Sequence, residues 1–332
     1  MTKNVLVTGG AGYIGSQVCK LLSLGGYQPI TLDNLSKGKK EAVQWGPLEI
    51  GDIADIPFVT KLIQKYHPIA TIHLAASTEV GESVTHPDEF YQNNTVGTLN
   101  LLKALRDGNV KVFIFSSTCA TYGDVKEVPI KETAPQAPIN PYGWSKLFDE
   151  QIIRDFRTAF GFRYALLRYF NVAGADLDGD LGEDHQPPSH VIPILFDSIS
   201  GKTPQFNLLG EDYQTPDGTC IRDYIHIVDL ANAHVVAMEH LLGKDEGIEL
   251  NLGSGKGFSV KELIIHAEKI TGKKVPVKKA QRRPGDAPAL VADASKAYKV
   301  LGWKPKHSDL ETILSSAWKW YSSINLASAD RR

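Results

Sequence analysis

The apolar run Asn4–Thr8 leads directly into Thr8-Gly9-Gly10-Ala11-Gly12-Tyr13-Ile14-Gly15, and from there into Ile14–Leu24, whose apolar residues fall on one helical face. A strand that turns into a helix through this many glycines has few architectures open to it. Gly10, Gly12 and Gly15 fit the spacing GxGxxG, and Gly9, Gly12 and Gly15 fit GxxGxxG. The early glycines let the backbone turn tightly and come close to a pyrophosphate, and the last lets the helix pack against the strand. The helix N-terminus then offers unpaired amides and the positive end of its dipole to an anion. A glycine-rich turn alone also occurs without any ligand. Here a second strand, Pro29–Leu32, follows and ends at Asp33. A carboxylate at that point can accept hydrogen bonds from the adenosine ribose and would repel a 2′-phosphate, so the expected cofactor is NAD rather than NADP.

The first half continues as apolar runs separated by amphipathic stretches. Strands are expected at Leu48–Gly51, Ala70–Leu74, Val110–Ser116 and Tyr164–Arg168, and helices at Ile56–Tyr66, Asp88–Asp107 and Tyr142–Phe160. Strands that read as continuous apolar runs are covered on both faces, which predicts an α/β fold with a doubly wound parallel sheet (Rossmann). After Asn171 the pattern changes. Ala173–Pro188 is rich in Gly, Asp and Pro. Helices follow at His190–Ser200, Val228–Leu242, Ser259–Thr271 and Leu310–Ser322, with short strands near Phe206–Leu209 and Lys274–Lys279. The expected division is residues 1–172 as the NAD-binding domain and 173–332 as a smaller mixed α/β C-terminal lobe for the substrate, with segments crossing back to the first.

With 332 residues the chain can form one large domain or two packed ones. The net charge of −2 lacks the basic excess of a nucleic-acid partner, and no apolar run is long enough to span a bilayer. Three widely spaced cysteines form neither a metal-type pair nor a disulfide framework. A cytoplasmic location and no metal are expected.

Two further features carry chemistry. Tyr142 and Lys146 are four apart at the start of a helix and therefore share a face. A nearby ammonium favours a phenolate, so Tyr142 is expected to have a lowered pKa and to act as a base toward an alcohol. The same spacing also occurs on solvated helix faces, and gains meaning behind a dinucleotide turn. Ser116-Ser117-Thr118 follows a strand at the sheet edge where ligands bind. Its hydroxyls can meet a reacting oxygen or cap a turn. Asp52, after the third strand, can meet an adenine edge, and the small Ala75 and Ala76 let a dinucleotide cross the sheet edge; both are also ordinary loop chemistry.

These segments, together with Arg168-Tyr169-Phe170-Asn171, Arg222-Asp223-Tyr224-Ile225-His226 and the late Arg282-Arg283-Pro284-Gly285-Asp286, resemble the extended short-chain dehydrogenase/reductase family over nearly the whole chain, and within it the enzymes that epimerize UDP-hexoses. The resemblance implies Tyr142 as base, Lys146 as its tuning partner, and Thr118 as the hydroxyl of a proton shuttle. It implies a cofactor site of Gly9, Gly12, Tyr13, Ile14, Gly15, Asp33, Asn34, Asp52, Ile53, Leu74, Ala75, Ala76, Asn93, Tyr142, Lys146 and Tyr169. It implies a UDP-hexose held by Thr118, Tyr142, Asn171, Gln205, Phe206, Asn207, Arg222, Arg283 and Asp286. An arginine fork suits a diphosphate on general grounds, although each arginine alone can equally form a surface ion pair.

The implied reaction is reversible, NAD-dependent 4-epimerization of UDP-glucose and UDP-galactose through a 4-keto intermediate, by a homodimer built on the long helices. UDP-N-acetylhexosamine or UDP-pentose turnover is the alternative, and a non-catalytic dinucleotide sensor a more distant one. Cys119-Ala120-Thr121 place no carboxylate after Thr118, which argues against dehydration or decarboxylation. Some relatives carry lysine at Thr78 and asparagines near Ser189-His190. Leu290 matches a position where small residues accompany acceptance of N-acetylated sugars.

Overall fold

The computed structural model describes residues 3–185, 187–282 and 286–329, with the side chains of 326–329 left aside. Its strands are β1 (Lys3–Thr8), β2 (Tyr27–Asp33), β3 (Leu48–Ile50), β4 (Ala70–His73), β5 (Val112–Thr118), β6 (Arg163–Tyr169), β7 (Asn171–Ala173), β8 (Phe206–Leu209), β9 (Ile221–His226), β10 (Gly247–Leu252), β11 (Gly257–Ser259), β12 (Val277–Ala280) and β13 (Ala289–Leu290). Its helices are α1 (Tyr13–Leu24), α2 (Ile56–Tyr66), α3 (Val80–Thr85), α4 (Pro87–Phe90), α5 (Gly97–Asp107), α6 (Pro141–Phe160), α7 (Val191–Ile199), α8 (Ile227–Gly243), α9 (Val260–Thr271), α10 (Ser295–Leu301) and α11 (Leu310–Ala329).

Seven strands form one parallel sheet in the order β10-β6-β5-β4-β1-β2-β3. Side chains alternate between its faces. Val5, Val7, Val112 and Ile114 join α1 and α8 in one core layer, whereas Leu6, Phe113 and Phe115 join α2, α5 and α6 in the other. Strand order reverses between β1 and β4, which opens a crevice at the carboxyl ends of those strands. The doubly wound α/β reading therefore holds.

Two expectations need correction. The span Asp88–Asp107 is not one regular helix. A π-helical segment, Tyr91–Val96, separates α4 from α5. Its Asn94 explains the wider turn: Oδ1 accepts from Ser77 N at 2.8 Å, and Nδ2 donates to Ser77 O and Ser145 Oγ at 3.0 Å each. The sheet also gains a strand that was not expected, β10, which pairs with β6 from Leu252↔Tyr169 back to Gly247↔Tyr164. The preceding helix α8 packs on α1, so residues far along the chain complete the first sheet.

The remaining elements build a second core. Strand β9 pairs with β7, β11 and β13, and β8 with β12. Leu195, Phe196, Phe206, Tyr224, Leu263, Ile313 and Leu314 pack together beneath them. Because β7 begins two residues after β6 ends and pairs with β9, the sheet edge and the second core face each other across the crevice.

Candidate active site

The crevice is a cavity of about 2160 Å³. At its floor is the glycine-rich turn. Gly9 sits at φ +72, a conformation side chains rarely adopt, and a Cβ there would meet Ala75 N at 2.7 Å. Gly12 caps α1 without a side chain, and the first turn of α1 holds no acidic residue. The amides at this helix start are thus left for an anion. Ala11 N donates to Asp33 Oδ2 at 3.0 Å and Leu35 N to Asp33 Oδ1 at 2.8 Å. These two bonds fix the carboxylate at the end of β2 and leave lone pairs over for hydroxyl donors. Turn, helix start and carboxylate together fit the adenosine diphosphate half of a dinucleotide. Tyr13 ties the turn to the opposite wall, donating its hydroxyl to Gly174 O at 2.6 Å.

Tyr142 is placed by local rules. Asn140 caps α6 by accepting from Gly143 N at 2.8 Å, and Pro141 occupies the first helical position. Tyr142 lies in the first turn, 7% exposed, on the cavity wall with Thr118 and Tyr169. Thr118 performs the capping role, its Oγ1 accepting from Ala120 N at 3.1 Å to start a short turn, and its side chain also meets Tyr142. Lys146 is just behind the wall. It is 3% exposed, donates to Ser116 O at 3.0 Å, and lies 4.6 Å from the centre of the Phe115 ring. Tyr169 accepts from Ser116 Oγ at 3.0 Å.

The expected lowering of the Tyr142 pKa is not what the polypeptide alone produces. Burial drives the phenol far above its ordinary range, Tyr169 adds to this, and Thr118 opposes it. The physical reason is that desolvation of a buried phenolate outweighs the Thr118 hydrogen bond; burial likewise pulls Lys146 down to about 8, against Asp149 and Glu150.

Of the other expected residues, Ile14, Gly15, Asn34, Ile53, Leu74, Ala75, Ala76, Asn93, Asn171, Gln205, Phe206, Asn207, Arg222 and Asp286 line the cavity. Asp52 does not: its carboxylate accepts from Asn34 Nδ2, just after β2, at 3.1 Å and from Ala54 N, in its own loop, at 2.8 Å. Arg283 lies outside the described residues. Arg222 forms an ion pair with Asp286 and donates to Ile221 O at 2.8 Å and Ala287 O at 2.9 Å. It thereby holds the 286–288 segment against β9 and still borders the cavity. Leu290 is also on the wall.

One pair on the wall was not picked out from the sequence. Glu183 Oε1 and His190 Nδ1 are 2.6 Å apart, and together with His185 the pair holds the Glu183 carboxyl down to about 2 despite burial. His190 follows Glu183 by seven positions, and nothing in that spacing signals contact.

A parallel sheet with a dinucleotide turn, and a tyrosine and lysine at its carboxyl edge, define a nucleotide-dependent enzyme of the dehydrogenase/epimerase type. The chain belongs to the NAD dependent epimerase/dehydratase family, whose model matches residues 5–253. It is 50% identical over 322 residues to a UDP-glucose 4-epimerase of Rhizobium meliloti (strain 1021), covering 97% of this chain and 98% of that one. The crystal structure of a UDP-glucose 4-epimerase from Brucella ovis in complex with NAD superposes with TM-score 0.94 at 48% identity, over 96% of this chain and 99% of that one. That of a UDP-glucose 4-epimerase from Bifidobacterium longum, in complex with NAD+ and UDP, gives 0.92 at 41% identity, over 97% and 98%.

Proposed function

We propose that the chain catalyses reversible 4-epimerization of UDP-glucose and UDP-galactose. The observation that carries this reading is the convergence of Tyr142, Thr118, the Gly9–Gly15 turn and Arg222 on one cavity. The cofactor is NAD; the Gly9–Gly15 turn and Asp33 would hold it, and when bound it would supply a reversible hydride acceptor. Tyr142 removes the proton of the sugar 4-hydroxyl, directly or through Thr118, and later gives it back. Lys146 keeps a positive charge behind Tyr142. Asn171, Arg222 and Asp286 border the part of the cavity assigned to the diphosphate and uridine, with Gln205, Phe206 and Asn207 beside the base. A nucleotide gripped by charged and directional bonds, with a hexose held loosely, lets the 4-keto sugar turn about its diphosphate link and present its other face. Net oxidation is zero, so the enzyme needs no added NAD.

The test is to incubate purified protein with UDP-galactose alone and separate the products. UDP-glucose is expected, and failure to interconvert any UDP-hexose would defeat the reading. Leu290 on the wall motivates a parallel assay with UDP-N-acetylglucosamine, in which a leucine is expected to permit slower turnover than of UDP-glucose.

We also place the chain as a homodimer in the cytoplasm. Trp144, Phe148 and Tyr91 lie in series, tilted against one another, with ring centres 5.6 and 6.0 Å apart, and Trp144 and Phe148 are 38% and 43% exposed. An exposed aromatic row on α6 and the segment before α5 suits a two-fold contact between copies. Cys19 and Cys119 have thiol pKa values raised to about 12 by burial, consistent with a reducing compartment in which they have no redox role.

A further inference from the structure

One ionisable group next to the reaction centre has no part in the scheme above. Asp149 follows Lys146 by three residues on α6, so both occupy one face of the helix. Its side chain has no exposure to solvent, and neither carboxyl oxygen has a partner at full hydrogen-bonding geometry. Burial pushes its carboxyl well above the ordinary carboxylate range; Lys146 is the strongest pull the other way, followed by the Thr95 and Thr98 hydroxyls. A buried carboxyl without a full partner is costly, and such a group persists where its charge serves something nearby.

That neighbour is Lys146. Burial pulls the lysine toward its neutral form, whereas Asp149 and Glu150 hold the proton on. Glu150 is already engaged. It accepts from Arg168 Nε at 2.8 Å and Nη2 at 2.6 Å, from Arg154 Nη2 at 3.0 Å and from Ser117 Oγ at 2.6 Å. Asp149 has no cation of its own within ion-pair distance among the described residues, so its field falls on Lys146.

Hydrogen-bond directions around Asp149 point the same way. Ala75 N donates to Thr8 Oγ1 at 3.4 Å, and Thr8 Oγ1 lies 2.6 Å from His73 Nδ1. His73 is kept neutral by burial and by the charge of Lys146, and a neutral ring with its hydrogen on Nε2 donates to Thr98 Oγ1, 2.9 Å away. The Thr98 hydrogen is then free to face Asp149. The chain, which starts beside the glycine-rich turn, ends on an acceptor. The groups that bear on Asp149 are thus Lys146 and Glu150 from α6, Thr95 and Thr98 from the π segment and α5, and His73 from β4.

We propose that Asp149 is a positioning residue that holds Lys146 as an ammonium through the working pH range of the epimerization proposed above, on which this inference rests. An ammonium has three donors and a charge, and a neutral amine would offer Tyr142 no electrostatic support.

The test is the pH profile of kcat for UDP-galactose in wild type and Asp149→Asn, a change of almost no volume. Loss of the anion makes Lys146 give up its proton more easily, so the alkaline limb should move down by about one pH unit or more, with KM within about twofold and Tm not lowered. Superimposable profiles in an active wild type would overturn this inference alone. A wild type inert toward every UDP-hexose would overturn the functional reading and this one with it. The ¹⁵N shifts of His73 in wild-type holoenzyme give a check that needs no variant: the Nε2–H tautomer is expected, and the Nδ1–H tautomer would overturn the proposal.

Discussion

A Cβ placed on Gly15 would lie 2.1 Å from the carbonyl oxygen of Gly9. The first turn of α1 and the loop that feeds it are therefore in direct backbone contact. Gly15→Ala must push them apart, and overpacking of this kind costs about 1–3 kcal/mol. Since the displaced amides are those proposed to meet the cofactor phosphates, NAD released from the purified variant should fall about tenfold or more against wild type. Gly243→Ala, where nothing lies within 4 Å of the added carbon, is the matched control and should retain wild-type NAD.

Tyr142→Phe removes the hydroxyl proposed as the base while keeping the ring. Turnover should drop by about 10²–10⁴-fold, the usual range for loss of a general acid–base group. Bound NAD and UDP affinity, measured by nucleotide release and by calorimetry, should change little. Thr118→Ser keeps the hydroxyl and should stay close to wild type. Full activity of Tyr142→Phe would remove the residue from the mechanism.

Two buried histidines make stability depend on acidity. His226 and His234 are both held down to about 4 from an ordinary 6.5, chiefly by burial. The unfolded chain binds these protons first, so folding stability is complete above pH 6.5 and falls as pH drops toward 4, by roughly 3 kcal/mol per histidine. Urea denaturation at pH 7.5 and at pH 5 reads the effect. A replacement that cannot titrate, His234→Gln, should flatten part of that slope even if it lowers stability overall.

Arg168 is 1% exposed and holds Glu150, which has no exposure, through two bonds, with Glu249 at 2.8 Å and the Tyr122 hydroxyl at 3.2 Å. Arg168→Met leaves the buried Glu150 short of its main cation, a change that typically costs about 3–5 kcal/mol. Thermal denaturation should show a large drop in Tm. Adding Glu150→Gln should restore part of it, and a double variant no better than the single one would show that the loss is one of packing.

The aromatic row offers a test of assembly. Phe148→Asp places a charge between the exposed ring of Trp144 and the half-buried ring of Tyr91. Sedimentation should change from twice the chain mass to the chain mass. Unchanged sedimentation would exclude this face as the contact.

The parallel sheet was readable because its strands are apolar on both faces. Val5-Leu6-Val7 and Val112-Phe113-Ile114-Phe115 each supply two core layers at once, and no solvated strand has that composition. Strand β10 was missed for the opposite reason. Glu249 and Asn251 interrupt it, and their acceptability rests on distant partners: Arg154 and Arg168 for the first, Tyr122 and the Ile130 carbonyl for the second. The π segment was equally hidden, because its reason is Asn94 reaching Ser77 and Ser145.

In the site, Tyr142, Lys146 and Asp33 could be found by spacing from a strand or a helix start. Glu183 with His190, and Asp149 behind Lys146, could not, since their meaning comes from burial and from what the fold sets beside them. The pKa of Tyr142 shows the same limit. Helical spacing predicts a neighbour, but it does not predict how dry the neighbourhood is.

The late origin of β10 has a consequence for how the protein is made. During synthesis β6 emerges some 80 residues before the strand that pairs with it, as the numbering of Arg163–Tyr169 and Gly247–Leu252 shows. Until then a growing chain carries the apolar β6 as an uncovered sheet edge, an arrangement prone to joining a neighbouring nascent chain. Fragments ending before Gly247 should therefore aggregate rather than fold, and the sheet becomes safe only when the ribosome has delivered most of the polypeptide.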